Sequence, residues 1–327
     1  AATATMKGNV LSFTGHGKYL VSAAINAQNL IERVETKLDN PVLGDMTIEV
    51  AYSDYKDFGG VKFPTRIVQK QGGFPTLDLT IDAVKPNAPA SFDPPAAVRQ
   101  ATAPPVRVET QKLADGVWFL AGGSHHSLAV EFKDHVVVIE GPLNEDRSLA
   151  VIAEVKKAVP NKPIKYLINT HHHFDHSGGI RTYVAEGAAI VTHQINRPYY
   201  QKTFAAGRTL NPDRLAKEKK KPAFLTVGDK RVLKDSTRTL ELYLVRGSPH
   251  NDGMLMAYLP KEKLLIEADI YTPGAPNAPP PATPNVVSVN LYDNIQRLKL
   301  DVAQIAPIHG RVVPLAELEK AIGKSRP

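Results

Sequence analysis

The stretch Thr170-His171-His172-His173-Phe174-Asp175-His176-Ser177-Gly178-Gly179 directly follows the apolar run Ile164 to Ile168, and its reading decides the fold. Four residues of metal-ligating chemistry, His171, His173, Asp175 and His176, fall within six positions. If Thr170 to His173 stay extended, the period of two puts His171 and His173 on one face and His172 on the other, so the first two can share one ion. Asp175 and His176 follow where the chain turns into a helix, and they point at a second position beside the first. The two adjacent glycines let the backbone turn there without a Cβ clash. A tag, a solvated cluster or a set of satisfied core imidazoles would not show this ordered mixture after a buried strand. Zinc takes imidazole nitrogens at about 2.0 to 2.1 Å and needs ligands that converge.

The His-x-His-x-Asp-His order of residues 171–176 resembles the signature of the metallo-β-lactamase superfamily. That resemblance implies three further ligands downstream, each at a strand end: a His, then an Asp or Cys, then a last His. Gly247-Ser248-Pro249-His250 after the apolar run Leu240 to Val245 offers His250, Leu264 to Asp269 offers Asp269, and Ile305 to His309 offers His309. The likeness runs from about Val106 to Arg311. It implies that His171, His173 and His250 hold one zinc and that Asp175, His176 and His309 hold a second, with Asp269 bridging the two or completing the second. An Asp at 269 is similar to the all-His/Asp binuclear hydrolases of the family, and with no Cys in the chain a thiolate ligand is impossible. Two Zn2+ per chain are expected, and iron or manganese also suits such oxygen and imidazole donors.

Two cations about 3.5 to 4 Å apart lower the pKa of a shared water and polarise a carbonyl or phosphoryl oxygen. Hydrolysis is the expected reaction, with Asp175 both ligating and orienting a bridging hydroxide. A Ser/His/Asp alternative at Gly123-Ser124-His125-His126 lacks the Gly-x-Ser-x-Gly elbow after a strand. His125 and His126 are nevertheless candidate cleft residues, because loops at this end of the fold border the metals in relatives. Tyr271, two residues after Asp269, is a candidate donor to a developing oxyanion, as a Tyr is in some lactonase relatives, although its spacing differs from theirs. His172 and His193 read as supporting residues, and His16 and His135 as ordinary surface or strand positions.

At 327 residues the chain exceeds what one core usually fills, so two domains are expected. Hydrophobic residues at 43% and charged residues at 22% are those of a globular protein. No apolar run approaches the about 18 to 20 residues that cross a bilayer. Residues 1 to about 95 carry short alternating segments separated by turn signals at Asn40-Pro41, Gly59-Gly60 and Gln71-Gly72-Gly73, which reads as an antiparallel meander. The run Tyr55 to Pro64 with the closing Phe92-Asp93-Pro94-Pro95 resembles the curved sheet of lipoprotein-carrier-like periplasmic proteins. A Pro/Ala linker over 96–105 leads to a domain over 106–327 in which strands alternate with helices at about 147–159 and 179–186. The expected fold class is therefore α/β, an αββα sandwich of the metallo-β-lactamase type preceded by a smaller antiparallel β-rich domain. The Pro-rich segment Thr272 to Pro284 must be irregular and is placed to wall a substrate cleft.

A formal charge of +7 mildly favours an anionic small substrate. The Lys-rich stretch 216–221 reads as a solvated helix end, and with no aromatic-basic stripe a nucleic-acid partner is not expected. The absence of Cys and an opening on Ala-Ala-Thr-Ala-Thr are read as those of an exported, periplasmic or secreted chain. The leading expectation is hydrolysis of a small ester, lactone or amide, β-lactams included. Alternatives are a phosphodiesterase or nuclease of the same fold, a mononuclear iron dioxygenase, and a non-catalytic lipid- or protein-binding module. The full set of seven ligands opposes the last two.

Overall fold

The computed structural model describes residues 4–89, 92–102, 105–276 and 278–324. Ala1 to Thr3 of the Ala-Ala-Thr-Ala-Thr opening lie outside that range, as do Ser91 beside the closing Phe92-Asp93-Pro94-Pro95 and Ala103-Pro104 of the expected linker. The chain divides into two compact units, one of Ala1–Pro105 with Ala206–Pro212 and one of Val106–Ala205 with Asp213–Pro327.

The first unit is a seven-stranded antiparallel meander in chain order: β1 (Thr5–Lys7), β2 (Val10–Gly15), β3 (Tyr19–Ile25), β4 (Ile31–Asn40), β5 (Gly44–Asp57), β6 (Lys62–Gln71) and β7 (Phe74–Thr80). Its register explains the alternation in sequence. Met6, Leu11, Ala23, Val34 and Val50 form one cross-strand row, while Ser12, Ser22, Glu35, Glu49 and Lys70 form the next. Successive rows face opposite sides of the sheet, so these two rows lie on opposite faces. The Asn40 side chain accepts hydrogen bonds from the amides of Val42 and Leu43, closing the expected turn.

Residues 206–212, which the sequence boundary left with the second domain, pack in the first unit instead. Arg208 donates to the carbonyls of Asn40, Pro41 and Val42 at 2.8 to 3.0 Å. Asp45 accepts from the amides of Thr209 and Leu210 and from the Thr209 hydroxyl. Gly44, at φ +74°, is required: a Cβ there would lie 2.3 Å from the Gly207 carbonyl oxygen. Within the stretch expected as linker, Ala96–Gln100 forms a short helix.

The second unit holds two sheets. One is β8 (Glu109–Ala114), β9 (Val117–Ala121), β10 (Ser127–Glu131), β11 (Val136–Ile139), β12 (Ile164–Ile168), β13 (Ala189–His193) and β14 (Phe224–Val227), neighbours in chain order and parallel from β11 onward. The other is β15 (Lys230–Lys234), β16 (Thr239–Leu244), β17 (Leu255–Leu259), β18 (Leu264–Glu267), β19 (Gln304–Pro307) and β20 (Val313–Pro314), with β18 and β19 parallel. Alternate residues split between layers. Val137, Ile139, Leu240, Leu242 and Ile266 fill the space between the sheets. Val136, Val138 and Leu167 meet the helices Glu145–Ala158 and Ile180–Glu186, and Tyr243, Met256 and Leu265 meet the helices Val286–Leu298 and Leu315–Ala321. Three apolar layers between helix, sheet, sheet and helix make the αββα sandwich.

Asp45→Ala is expected to cost about 1 to 3 kcal/mol, the value of hydrogen bonds to a charged group. Hydrogen exchange should localise the loss to the amides of Thr209 and Leu210. Unchanged protection at those amides would show that the segment is held by other contacts.

Candidate metal centre

The centre is built where strands from both sheets end. β12 delivers Asn169 to His173, the turn after β16 delivers His250, β18 delivers Asp269, β19 delivers His309, and the loop before β10 delivers His125. Two ligand groups result, His171, His173, His250 and Asp269 in one and His125, Asp175, His176 and His309 in the other, each with its donor atoms within 4.8 Å of one another.

Asp269 joins the groups. Its Oδ2 lies 3.2 Å from His171 Nε2 and 3.0 Å from His250 Nε2, and its Oδ1 lies 3.0 Å from His176 Nε2 and 2.8 Å from His309 Nε2. Burial opposes ionisation of this carboxyl, but the imidazoles of His171, His176 and His309 hold it far below the usual carboxylate range. Asp269 sits at φ +64°, a left-handed backbone that an Asp adopts at some cost. Fully buried Glu267 fixes that turn, its Oε2 accepting from the amides of Ile270 and Tyr271. The same burial pushes the Glu267 carboxyl up to about 8.

The donor set fits a cation. His309 Nδ1 donates to the Ser124 carbonyl at 2.8 Å, and His176 Nδ1 lies 3.1 Å from the Glu140 carboxylate, which can only accept. Both rings in their neutral form therefore turn a bare Nε2 lone pair inward, and these two atoms are 3.3 Å apart. The Nε2 atoms of His171 and His250 face each other at the same 3.3 Å. The facing lone pairs of His176 and His309 need a positive charge between them, a proton or a metal ion. All donors are imidazole or carboxylate, the set that suits zinc, iron or manganese.

Each candidate named from the sequence can now be placed. His171, His173, Asp175, His176, His250, Asp269 and His309 all come together in the two groups. His125, read from sequence as a cleft residue, stands among the ligand-type side chains, its Nε2 3.2 Å from Asp175 Oδ2. His126 does not join them. Its Nδ1 accepts from the Gly122 amide, its ring packs on Phe119, and burial with the nearby Arg147 pushes it down to about 4. Tyr271 is buried among the apolar residues of the outer layer, its phenol pushed up to about 12 by burial and Glu317. His172 turns away to Asn196, 3.0 Å from its Nδ1. His135, stacked on Phe132 and only 7% exposed, is not a surface residue.

The two glycines of the motif serve packing and not the expected turn. Gly178 and Gly179 have ordinary negative φ. They are small because the 141–144 loop and the helix after it cross them: a Cβ on Gly178 would lie 1.9 Å from the Leu143 carbonyl oxygen, and one on Gly179 would lie 2.8 Å from the Asn144 carbonyl oxygen and 2.1 Å from Ser148 Oγ.

Supporting residues that the sequence reading passed over hold the ligands in place. Glu140, fully buried at φ +69°, accepts from the Thr170 amide as well as facing His176. Asn251 Nδ2 lies 3.3 Å from His173 Nε2. Arg147 donates to the carbonyls of Leu120 and His125, fixing the loop that carries His125. A signal for Glu140 was present in Val136-Val137-Val138-Ile139-Glu140, an acid closing an apolar strand at the end where ligands gather.

The model of the metallo-beta-lactamase superfamily matches residues 120–285, half of the chain. The chain belongs to the metallo-β-lactamase superfamily. Over 166 residues it is 24% identical to the 2,4-dinitroanisole O-demethylase subunit alpha of Nocardioides sp. (strain JS1661), a match spanning 50% of this chain and 47% of that protein. This chain thus matches about half the length of that curated relative. In structure it is similar to a metallo-beta-lactamase from Pontibacter korlensis (18% identity, 67% of this chain and 98% of that one, TM-score 0.51). It is also similar to rubredoxin oxygen:oxidoreductase from Desulfovibrio gigas (15% identity, 66% and 61%, TM-score 0.52). One is named for a lactamase and the other for an oxidoreductase, so this superfamily fold alone does not select a reaction.

Two outcomes follow for the superfamily site in this chain. Gly178→Ala should displace the 141–144 loop, cost about 1 to 3 kcal/mol by overpacking, and lower bound metal; a normal metal content with unchanged Tm would refute the close approach. The second concerns chelator-treated protein. Burial opposes the charge on His176, but Asp269 and Glu140 outweigh it and raise this imidazole from 6.5 to about 10. A raised folded-state pKa gives stability that is complete below about 6.5 and lost as pH rises towards 10. The Tm of chelated protein should therefore fall across that window, whereas metal uptake, which must displace the proton, should strengthen. A flat Tm would place the His176 proton elsewhere.

Proposed function

We propose that the chain is a two-metal hydrolase of a small ester, lactone or amide, β-lactams included. The observation that carries this reading is the Asp269 carboxylate shared between two convergent ligand groups made only of imidazoles and carboxylates. His171, His173 and His250 would hold one ion and Asp175, His176 and His309 the other, with Asp269 between and His125 beside the second. Two divalent cations so held supply an activated water and an electrophile for the scissile carbonyl.

The protein's own side chains supply orientation and proton control. Asp175 is the ligand-type carboxylate most open to solvent, its side chain 47% exposed. Burial works against its charge, but His125 and His176 outweigh this and keep it ionised below the usual range. It is thus poised to accept a hydrogen bond from an attacking water and to orient that water towards the substrate. His125 fixes the Asp175 carboxylate, and Ser124 Oγ, 2.8 Å from His125 Nδ1, fixes His125. Glu140 keeps His176 in the tautomer that presents Nε2 inward. The likeness to a 2,4-dinitroanisole O-demethylase subunit adds one further substrate class, methyl ethers of electron-poor arenes.

Metal analysis and turnover test the reading together. Two zinc ions per chain with turnover of an aryl ester or lactone support it; one iron ion supports the dioxygenase alternative, and no bound metal supports a binding module. Asp175→Ala in fully metallated protein should lose about 10²- to 10⁴-fold in kcat, the scale of a positioned acid-base group. Retained turnover would mean that another group orients the water.

A further inference from the structure

A cavity of about 440 Å3 is lined by Asp269, by residues of the Pro-rich segment and by residues of the helices Val286–Leu298 and Leu315–Ala321. That volume suits a small molecule. On the loop side its wall is made of short or ring-locked side chains, Ala275, Ala278 and Pro279 to Pro281, which cannot swing in to fill it.

Charge is distributed unevenly along it. Of the ligand-type residues, Asp269 alone lines it. Elsewhere the lining carries two charged side chains, Glu317 and Lys320. Glu317 is already paired: Arg311 Nη1 lies 2.9 Å from its Oε1, and Arg311 Nη2 lies 2.5 Å from its Oε2. Lys320 Nζ donates to the Ala278 carbonyl at 3.2 Å, and among the described residues it has no carboxylate within ion-pair distance. The three groups together carry a net charge of +1, and two Lys320 donors are left to offer.

We propose that this cavity receives the acyl arm of the substrate and that Lys320 selects an arm ending in a carboxylate. The alanine and proline side chains of a mixed wall take the methylene chain, the carbonyl to be attacked lies beside Asp269, and the terminal carboxylate meets the Lys320 ammonium. The substrate class is thus a monoester, monoamide or lactone derived from a dicarboxylic acid. This deepens the hydrolase reading and rests on it for the position of the reacting carbonyl.

The test is calorimetric binding to the full, zinc-loaded chain. Linear dicarboxylates of four to eight carbons are compared, at fixed ionic strength, with monocarboxylates of equal length. Both series offer one carboxylate to the metal end, and only the dicarboxylates offer a second. At one chain length the dicarboxylate should bind about three- to five-fold more tightly, the size expected of a partly exposed ion pair. That ratio should fall to about one in Lys320→Gln and below one in Lys320→Glu, and Ala275→Trp, which narrows the cavity, should weaken the preferred dicarboxylate. A ratio of one at every length in the wild type, or one that survives in Lys320→Gln, overturns the proposal. Binding is read without turnover, so failure of every ester to react would sink the hydrolase reading while this ratio still stood or fell by itself.

Discussion

A single carboxylate sets the terms for the second unit. Asp269 presents each of its oxygens to two imidazoles, at 2.8 to 3.2 Å, and those imidazoles arrive from three separate stretches of the chain. Such convergence needs strand ends from two sheets at one edge. The parallel order of β11, β12 and β13 and the parallel pair β18 and β19 bring their carboxyl ends there. The sandwich core is what keeps the two edges in register: residues such as Ile139, Ile168, Ile266 and Ile308, one to three positions from a ligand or its support, are themselves fully buried between the sheets.

The cost of this arrangement is visible in the backbone. Glu140, Leu143 and Asp269, none of them glycine, all have φ between +64° and +69°. Each such residue costs of order 1 to 3 kcal/mol and persists only when its surroundings over-determine it. The surroundings do so here. The Glu140 amide donates to the Ile168 carbonyl and the Leu143 amide to the Asp175 carbonyl, and the turn at Asp269 is closed by Glu267. The strained positions thus lock the loop over Gly178 and Gly179 to the strands that carry the ligands, and strain at the centre is offset by hydrogen bonds one shell out.

The ligand strands and the N-terminal meander were legible in sequence because both obey short periods. The alternation in residues 10–71 and the runs Ile164 to Ile168 and Leu264 to Asp269 are local signals, and the structure places strands on them. What was hidden depends on contacts distant in sequence. Nothing local to Gly207-Arg208-Thr209 says that it packs on residues 40–45. His125 and His126 are chemically identical neighbours, and only the path of the loop, set by Arg147 and the Ile308 carbonyl, turns one towards Asp175 and the other towards Phe119. The glycine pair was found for a local reason, a turn, when the operative reason is a loop thirty-five residues upstream.

Fold and reaction separate at this point. Solved structures named for a lactamase and for an oxidoreductase are similar to this chain to nearly the same degree, with TM-scores of 0.51 and 0.52, so the backbone carries little information about chemistry. The donor set and the space beyond it carry more. With no sulfur ligand and both rings of the His176 and His309 pair held by acceptors on their outer nitrogens, the inward atoms can only bind a cation or a proton. What then distinguishes one member of such a family from another is the lining that continues past the shared carboxylate. In this chain that lining combines a proline-stiffened loop with the ammonium of Lys320, which among the described residues has no carboxylate at ion-pair distance, and a stiff loop discriminates by shape because it adapts poorly to the wrong arm.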